Sequence, residues 1–351
     1  MLTRTLPHLA NGKHRLVILF PTEKNKLIEQ LEQSGIAIDY LDAKSFWDGK
    51  AIKKFKALIK EYKPEAITTY LLHANFFGRV FGRVFRVKKI YTSIRSKHSQ
   101  FRFFPYWMAE RCTAFLVTHY LAVSNEAKKF YVKNLFMPKR KISVVYNGID
   151  LKKFNTNVDT AAKRKGLGVE KDTPLIGCVA QLRIREKGQK YLIEAMEGVI
   201  GEFPEAVLLL IGAGQDWDEV EKEIAERSLG KNIQMLGNRQ DVPELLATMD
   251  LFVLPTLFEG MCNAILEAQA AGCTIITTDI PENREIVVKN ETAYLIPIED
   301  SNAIKKGILK LLNDPELSRK MGRAAREHSK KFDLHFSFDR LNTFYKQGSL
   351  D

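Results

Sequence analysis

Apolar residues fall in short continuous runs along this chain, separated by longer stretches in which they recur every three to four positions. In the first half the runs span 16–20, 66–70, 89–92, 120–123 and 142–146. In the second they span 175–180, 207–211, 233–237, 251–254, 274–277 and 293–296. Runs this short, unbroken and rich in Val, Ile and Leu predict strands buried on both faces. Helical patterns fill the gaps, for instance 52–62, 189–201, 218–229 and 301–312. Strand and helix alternate throughout, which predicts an α/β protein built on parallel sheets. The polar stretch 155–172 has no apolar period and carries two glycines, so it reads as a linker between two Rossmann-like domains. The expected division is a first domain over 1–155, a linker over 156–172, a second domain over 173–332 and a final segment over 333–351. The stretch 315–345 is helical and charged, and its Phe332, Phe336, Phe338, Leu341 and Phe344 need a surface to bury against.

The chemistry concentrates in 255–272, which reads P-T-L-F-E-G-M-C-N-A-I-L-E-A-Q-A-A-G. The run 251–254 leads into it, and a helix is expected to begin near Gly260. Glu259 stands at the helix entrance, and Glu267 follows two turns later with seven residues between them. In an open α/β sheet, ligands bind outside the carboxyl ends of the strands. There the N–H groups of Gly260, Met261, Cys262 and Asn263 would make an anion site. Two carboxylates beside a phosphate site repel the phosphate and need a reason. A sugar nucleotide supplies one, with hydroxyls for the carboxylates and a diphosphate for the amides.

Other strand ends add to this picture. Arg183, Arg185 and Lys187 follow the first strand of the second half and suit a diphosphate. Gly212 ends the run 207–211 and permits close backbone approach to a ligand, although a plain tight turn explains it equally well. Asp241 before Val242-Pro243 reads as an N-cap with an early proline. The backbone around Val242 could also pair with a base edge. In the first half, His73 follows a strand, where an imidazole suits acceptor binding or proton transfer, although a lone histidine in a loop is more often structural. Arg95 follows the next strand.

With 351 residues, 45% hydrophobic and 27% charged, the chain is a folded protein of two ordinary domains. No stretch approaches the roughly 18–20 apolar residues of a membrane span. The start shows no signal peptide, and the four scattered cysteines read as buried or half-buried free thiols, so a cytoplasmic protein is expected. Charge is uneven: residues 1–150 hold 27 Lys+Arg against 11 Asp+Glu, leaving 27 against 31 for the remainder. Cations interleave with aromatic residues over 97–111, and again among Phe76, Phe77, Phe81, Phe85, Arg79, Arg83 and Arg86. That mixture favours an anionic membrane surface, and rings packed in the first domain's core beneath solvated cations explain it as well. No recognition helix or RNA-binding aromatic motif supports nucleic acid.

The 255–272 segment resembles the E-x7-E signature of retaining family-4 glycosyltransferases. The resemblance implies the GT-B fold: two Rossmann-like domains facing across a cleft, with the last helix crossing back to the first. It implies a nucleotide-sugar donor, most simply a UDP-sugar, with Glu267 on the ribose hydroxyls and Glu259 on the sugar. Lys187 and the 260–263 amides would then hold the diphosphate. Lys187-Gly188 is similar to the family's K-G pair, while Gln181 stands where relatives have arginine, leaving Arg183 or Arg185 to replace it. Residues 237–246 are similar to the loop before the base-reading helix. H-A-N-F-F-G-R at 73–79 and N-G-I-D at 147–150 resemble family stretches. Arg95 stands where relatives place a histidine that contacts the donor sugar, with His98 close behind. Asn283-Arg284-Glu285 recurs in the family, with packing as its expected role. M-L-T-R-T-L-P-H-L resembles the family's first helix, so the strand and glycine loop before it are expected to be absent. The implied reaction moves a sugar with retention onto a lipid-linked, lipopolysaccharide or cell-surface glycan acceptor, at the inner face of the membrane and with no metal or other cofactor. A catalytically weak nucleotide-sugar or polyanion-binding protein, and a sugar-nucleotide epimerase, are the alternatives.

Overall fold

The computed structural model describes residues 14–22, 26–95, 104–155 and 158–350. His98 with the rest of 96–103, and the opening M-L-T-R-T-L-P-H-L, lie outside the described residues. The chain forms two compact units: unit 1 is Met1–Gly148 with His335–Asp351, and unit 2 is Ile149–Leu334.

Unit 1 runs β1 (Arg15–Ile18), α1 (Lys26–Gln33), β2 (Ala37–Tyr40), α2 (Gly49–Tyr62), β3 (Ala66–Tyr70), α3 (Leu72–Val84), β4 (Lys89–Ile94), α4 (Phe104–Thr113), β5 (His119–Ala122), α5 (Asn125–Asn134) and β6 (Ile142–Val144). Its described strands make a parallel pair, β1–β2, and a four-stranded parallel sheet ordered β3-β4-β5-β6. One core of Leu19, Leu41, Phe55, Phe77 and Phe81 serves both pieces, with Val17 and Ile67 packed against it. The apolar run at 16–20 locates β1, but β2 is not among the predicted strands. Its sequence is A-I-D-Y, and Asp39 breaks the apolar run while pairing with Arg15 at 2.7 Å.

The aromatic stretch of α3 corrects an expectation. Phe76, Phe77 and Phe81 are buried core, and Arg79 is fully buried. Its guanidinium meets Glu110 of α4 at 2.7 Å and donates to Thr92 at 3.0 Å and Thr113 at 3.1 Å. Burial works against the Arg79 charge, and the Glu110 carboxylate more than offsets it, so the pKa is raised. Arg83 is likewise committed inward, donating to the carbonyls of Leu116, Val87 and Lys88. The rings of this stretch, with Arg79 and Arg83, therefore pack the domain, while Val84 and Arg86 are exposed.

Unit 2 runs α6 (Thr160–Gly166), β7 (Leu175–Val179), α7 (Ile184–Lys187), α8 (Gln189–Ile200), β8 (Val207–Ile211), α9 (Trp217–Glu226), β9 (Ile233–Gly237), α10 (Val242–Thr248), β10 (Leu251–Leu254), α11 (Asn263–Ala271), β11 (Thr274–Thr278), α12 (Pro281–Arg284), β12 (Tyr294–Ile296), α13 (Ser301–Leu312) and α14 (Pro315–Ser329). One six-stranded parallel sheet has the order β12-β11-β10-β7-β8-β9. Strands β8, β10 and β11 are buried at every position, as double-faced cover requires. The polar stretch read as a linker carries α6, and its Arg164 is buried. That guanidinium donates to Thr173 O at 2.8 Å and Thr248 O at 2.9 Å and pairs with Asp250 at 2.8 Å. A cation buried by its partners leaves no apolar period to read.

The terminal helical stretch is broken in two. A 3-10 turn at Lys330–Phe332 follows α14, and α15 (Leu334–Gln347) begins after Asp333. Leu341 and Phe344 of α15 pack on Tyr91, Leu121 and Val145 of unit 1, so the final helix belongs to the first sheet.

Candidate active site

The strand order of unit 2 reverses direction between β10 and β7, because β7 continues to β8 on one side while β10 and β11 lie on the other. At such a switch point the two departing loops leave a crevice outside the carboxyl ends, where ligands bind in open α/β sheets. The short helix α7 after β7 ends at Lys187, and the loop after β10 carries Glu259. Lys187 Nζ lies 2.5 Å from Glu259 Oε1, with side chains only 20% and 12% exposed. A pair this sheltered is screened far less than one on the surface.

Backbone contacts lock the two loops together. Leu257 N–H donates to Glu186 O at 2.9 Å. Gly188 sits at φ +70°, and a Cβ there would lie 2.1 Å from Pro255 O. Only glycine allows that approach, which sets Lys187 against Glu259. From below, the Thr256 hydroxyl lies 3.2 Å from Glu259 Oε1 and 3.2 Å from Glu186 O. Thr278 donates to Thr256 O at 2.5 Å, and Asn283 Nδ2 donates to Thr277 Oγ1 at 2.9 Å and Thr278 O at 3.0 Å. Thr256, Thr277, Thr278 and Asn283 are all fully buried. Asn283 has the packing role expected of it, but its packing ends on the loop of Glu259.

Helix α11 begins at Asn263, three residues later than expected, with Cys262 as its N-cap. The amides of Gly260 and Met261 therefore belong to the preceding loop. Burial first, then the Glu259 carboxylate, push the Cys262 thiol well up. Glu267 lies on α11 and is half-buried. Arg183 turns onto Glu186 at 3.1 Å, and Arg185 is exposed.

Gly212 makes a close approach within the protein, and the capping expected of Asp241 is not made. Gly212 adopts φ +135°, where a Cβ would lie 2.0 Å from Ala180 O. The close approach it permits is to the loop after β7. Val242 opens α10, yet the Asp241 carboxylate makes no cap to it. It takes Arg239 at 2.8 and 2.7 Å and Lys163 at 2.6 Å, contacts that hold its pKa far below the carboxylate range. Two cations compete successfully with one backbone amide.

In unit 1, His73 lies at the exposed start of α3 with its ring 5.5 Å from Phe20. Leu71 just before it holds φ +70°, a strained backbone for a side-chain-bearing residue. Arg95 follows β4 and donates to Asn147 Oδ1 at 2.9 Å. Burial pushes its pKa down to about 10. His73 and Arg95 thus belong to unit 1, and the Lys187–Glu259 pair to unit 2. Among the described residues, no group of three His, Cys, Asp or Glu side chains could hold a metal ion. No described helix is long and apolar enough to cross a membrane.

Known proteins with this architecture point the same way. Residues 159–328 match the model for glycosyl transferases group 1, and residues 1–153 match that for glycosyltransferase family 4. A UDP-Gal:alpha-D-GlcNAc-diphosphoundecaprenol alpha-1,3-galactosyltransferase of Escherichia coli is 26% identical, over 93% of this chain and 90% of its own length. The capsular polysaccharide biosynthesis glycosyltransferase CapM of Staphylococcus aureus is 26% identical over 87% and 82%. Among solved structures, Anabaena HepE in complex with UDP and glucose superposes with a TM-score of 0.85 at 18% identity, covering 95% of this chain and 99% of that one. The two models together account for nearly the whole sequence, and the parallel sheets, the switch-point crevice and the E-x7-E segment agree with them: this chain belongs to the family-4 glycosyltransferases, enzymes of the GT-B fold.

Proposed function

We propose that this protein transfers a sugar from a UDP-sugar to a hydroxyl of a lipid-linked or cell-surface glycan, with retention at the anomeric carbon. The observation that carries the reading is the sheltered Lys187–Glu259 pair at the switch point of unit 2. One cation held against one carboxylate can bridge a diphosphate and the sugar attached to it. Glu259 takes sugar hydroxyls, Glu267 takes ribose hydroxyls, and Lys187 with the first amides of α11 takes the diphosphate. As the sugar departs, negative charge grows on the diphosphate, and fixed amides and a cation meet it without reorganising. The proposal needs no metal for that step. Unit 1 is assigned the acceptor, with His73 and Arg95 at the carboxyl ends of its strands.

The relatives support the substrate classes. The Escherichia coli enzyme is named for UDP-Gal and a diphosphoundecaprenol acceptor, and the Staphylococcus aureus one for capsular polysaccharide. Retention follows from the family resemblance, and a cytoplasmic protein working at the inner face of the membrane from the lipid-linked acceptor.

The test is thermal unfolding with UDP, GDP, ADP and CDP. A ligand at about 100 times its dissociation constant adds roughly 2.7 kcal/mol, several degrees for a domain of this size. UDP alone is expected to raise the transition of unit 2. Equal shifts from all four, or none, would overturn the donor assignment.

A further inference from the structure

We propose that the lysine face of α2 in unit 1, with Trp47 beside it, docks the protein onto anionic phospholipid headgroups. The surface differs from the aromatic stretch of α3, which is core. Its biological sense rests on the lipid-linked acceptor proposed above, but its test does not.

Helix α2 reads G-K-A-I-K-K-F-K-A-L-I-K-E-Y. At 100° per residue, Lys50, Lys53, Lys54, Lys56 and Lys60 share an arc of roughly 160°. Ala51 and Phe55 on the opposite arc are buried, and Ile52, Leu58 and Ile59 pack against the same core. Each of the five lysines is exposed, and Glu61 is the only acid on the helix. None of the five is paired with a carboxylate among the described residues. Five solvated ammoniums on one face repel one another, so the arrangement costs stability unless a polyanion faces it.

Two features choose a bilayer over other polyanions. Trp47 is 72% exposed just before the helix. Its ring is held edge-on by Phe46 at 4.8 Å and Phe81 at 6.0 Å, so it stands fixed and outward. An indole fixed beside a basic amphipathic helix suits headgroup depth, where its body is apolar and its N–H is wet. Beside it lies an open cavity of about 430 Å3 lined by Lys44, Asp48, Gly49, Lys50 and Lys53, room for a headgroup phosphate. The Asp48 carboxylate caps the helix, accepting from the amides of Lys44 at 3.0 Å, Lys50 at 2.9 Å and Ala51 at 3.2 Å. Three lysines against one carboxylate leave the cavity net positive.

The experiment is co-sedimentation of the full chain with vesicles of phosphatidylcholine alone or with 30 mol% phosphatidylglycerol (~30%, chosen to give a strongly anionic surface), without donor or acceptor. Binding is expected only to the anionic vesicles and to fall steeply with salt. Each surface lysine contributes on the order of fivefold, so the triple variant K53Q/K54Q/K60Q should bind about 100-fold more weakly. W47A should lose several-fold while keeping the salt dependence. Both variants must retain the wild-type unfolding transition and transfer to a soluble acceptor, since none of these residues belongs to the donor or acceptor site. Unchanged binding in the triple variant, or equal binding to neutral vesicles, overturns the proposal. Binding to RNA with no binding to anionic vesicles overturns it in favour of nucleic acid. Failure of transfer with vesicle binding intact would count against the proposed reaction and leave this surface standing.

Discussion

The two units share a βα repeat and parallel sheets, yet they place their charges in opposite ways. Unit 2 has one continuous sheet, and at its switch point the partly buried Lys187–Glu259 pair is braced by a fully buried chain of hydroxyls and an amide. Unit 1 has its described strands in two pieces, with β1 and β2 only partly buried. Its one fully buried ion pair, Arg79–Glu110 among the described residues, joins two helices and faces no crevice. The lysines of α2, by contrast, are displayed outward. A site that must hold a donor rigidly needs charges fixed by neighbours, whereas a surface that meets a fluid partner needs charges free of them.

That contrast can be broken by substitution. The largest loss of stability is expected from Arg79→Met alone, which strands the Glu110 carboxylate in the core. Breaking a buried pair from one side costs roughly 3–5 kcal/mol. Calorimetry should show the unit 1 transition falling sharply with the UDP response of unit 2 retained. Adding Glu110→Leu should recover much of the loss, and no recovery would mean that the pair does more than neutralise itself.

Thr256→Val should have a smaller effect of a different kind. It leaves Glu259 and Lys187 in place and removes the hydroxyl beneath them. A lost hydrogen bond of about 1–1.5 kcal/mol corresponds to roughly tenfold in kcat. KM for the donor should change little, and Thr256→Ser should restore the rate. A loss confined to KM would show that the hydroxyl positions nothing for the reaction.

The smallest effect is in pH dependence. Burial, then Lys128 and Lys141, lower the pKa of His119, whose Nε2 lies 2.8 Å from Ser143 Oγ. Below roughly pH 6.5, the ordinary imidazole value, the unfolded chain takes a proton that the folded unit resists. Stability is therefore full above that pH and falls as pH drops toward the depressed folded value. Burial of His328 gives unit 2 a slope of the same sign, so His119→Gln should flatten only the unit 1 transition.

The same contrast explains what was legible in the sequence. Residues 251–272 were readable because strand, loop and helix follow one another there, and both carboxylates stand on that one segment. The helix start was misplaced because Cys262 gives no N-cap signal. Thr256, Thr278 and Asn283 went unmarked as a support for Glu259, since small polar residues at strand ends look like turns. In unit 1 the partners are far apart in sequence. Nothing local says that Arg79 meets a carboxylate 31 residues later, so its run of aromatic and basic residues looked like a surface. Asp39 hid β2 in the same way.

In the proposed reaction, Glu259 acts on the donor sugar from a site that forms without it. Glu259→Gln removes the charge and keeps the shape, so transfer from a UDP-sugar should fall by about 10²–10³-fold or more, the scale of losing one transition-state contact. The unfolding midpoint should fall modestly, since Lys187 keeps a hydrogen-bond acceptor but loses its carboxylate, and the shift induced by UDP should remain close to wild type. Turnover within a few-fold of wild type, with UDP binding intact, would contradict the assignment of Glu259 and with it the account of unit 2.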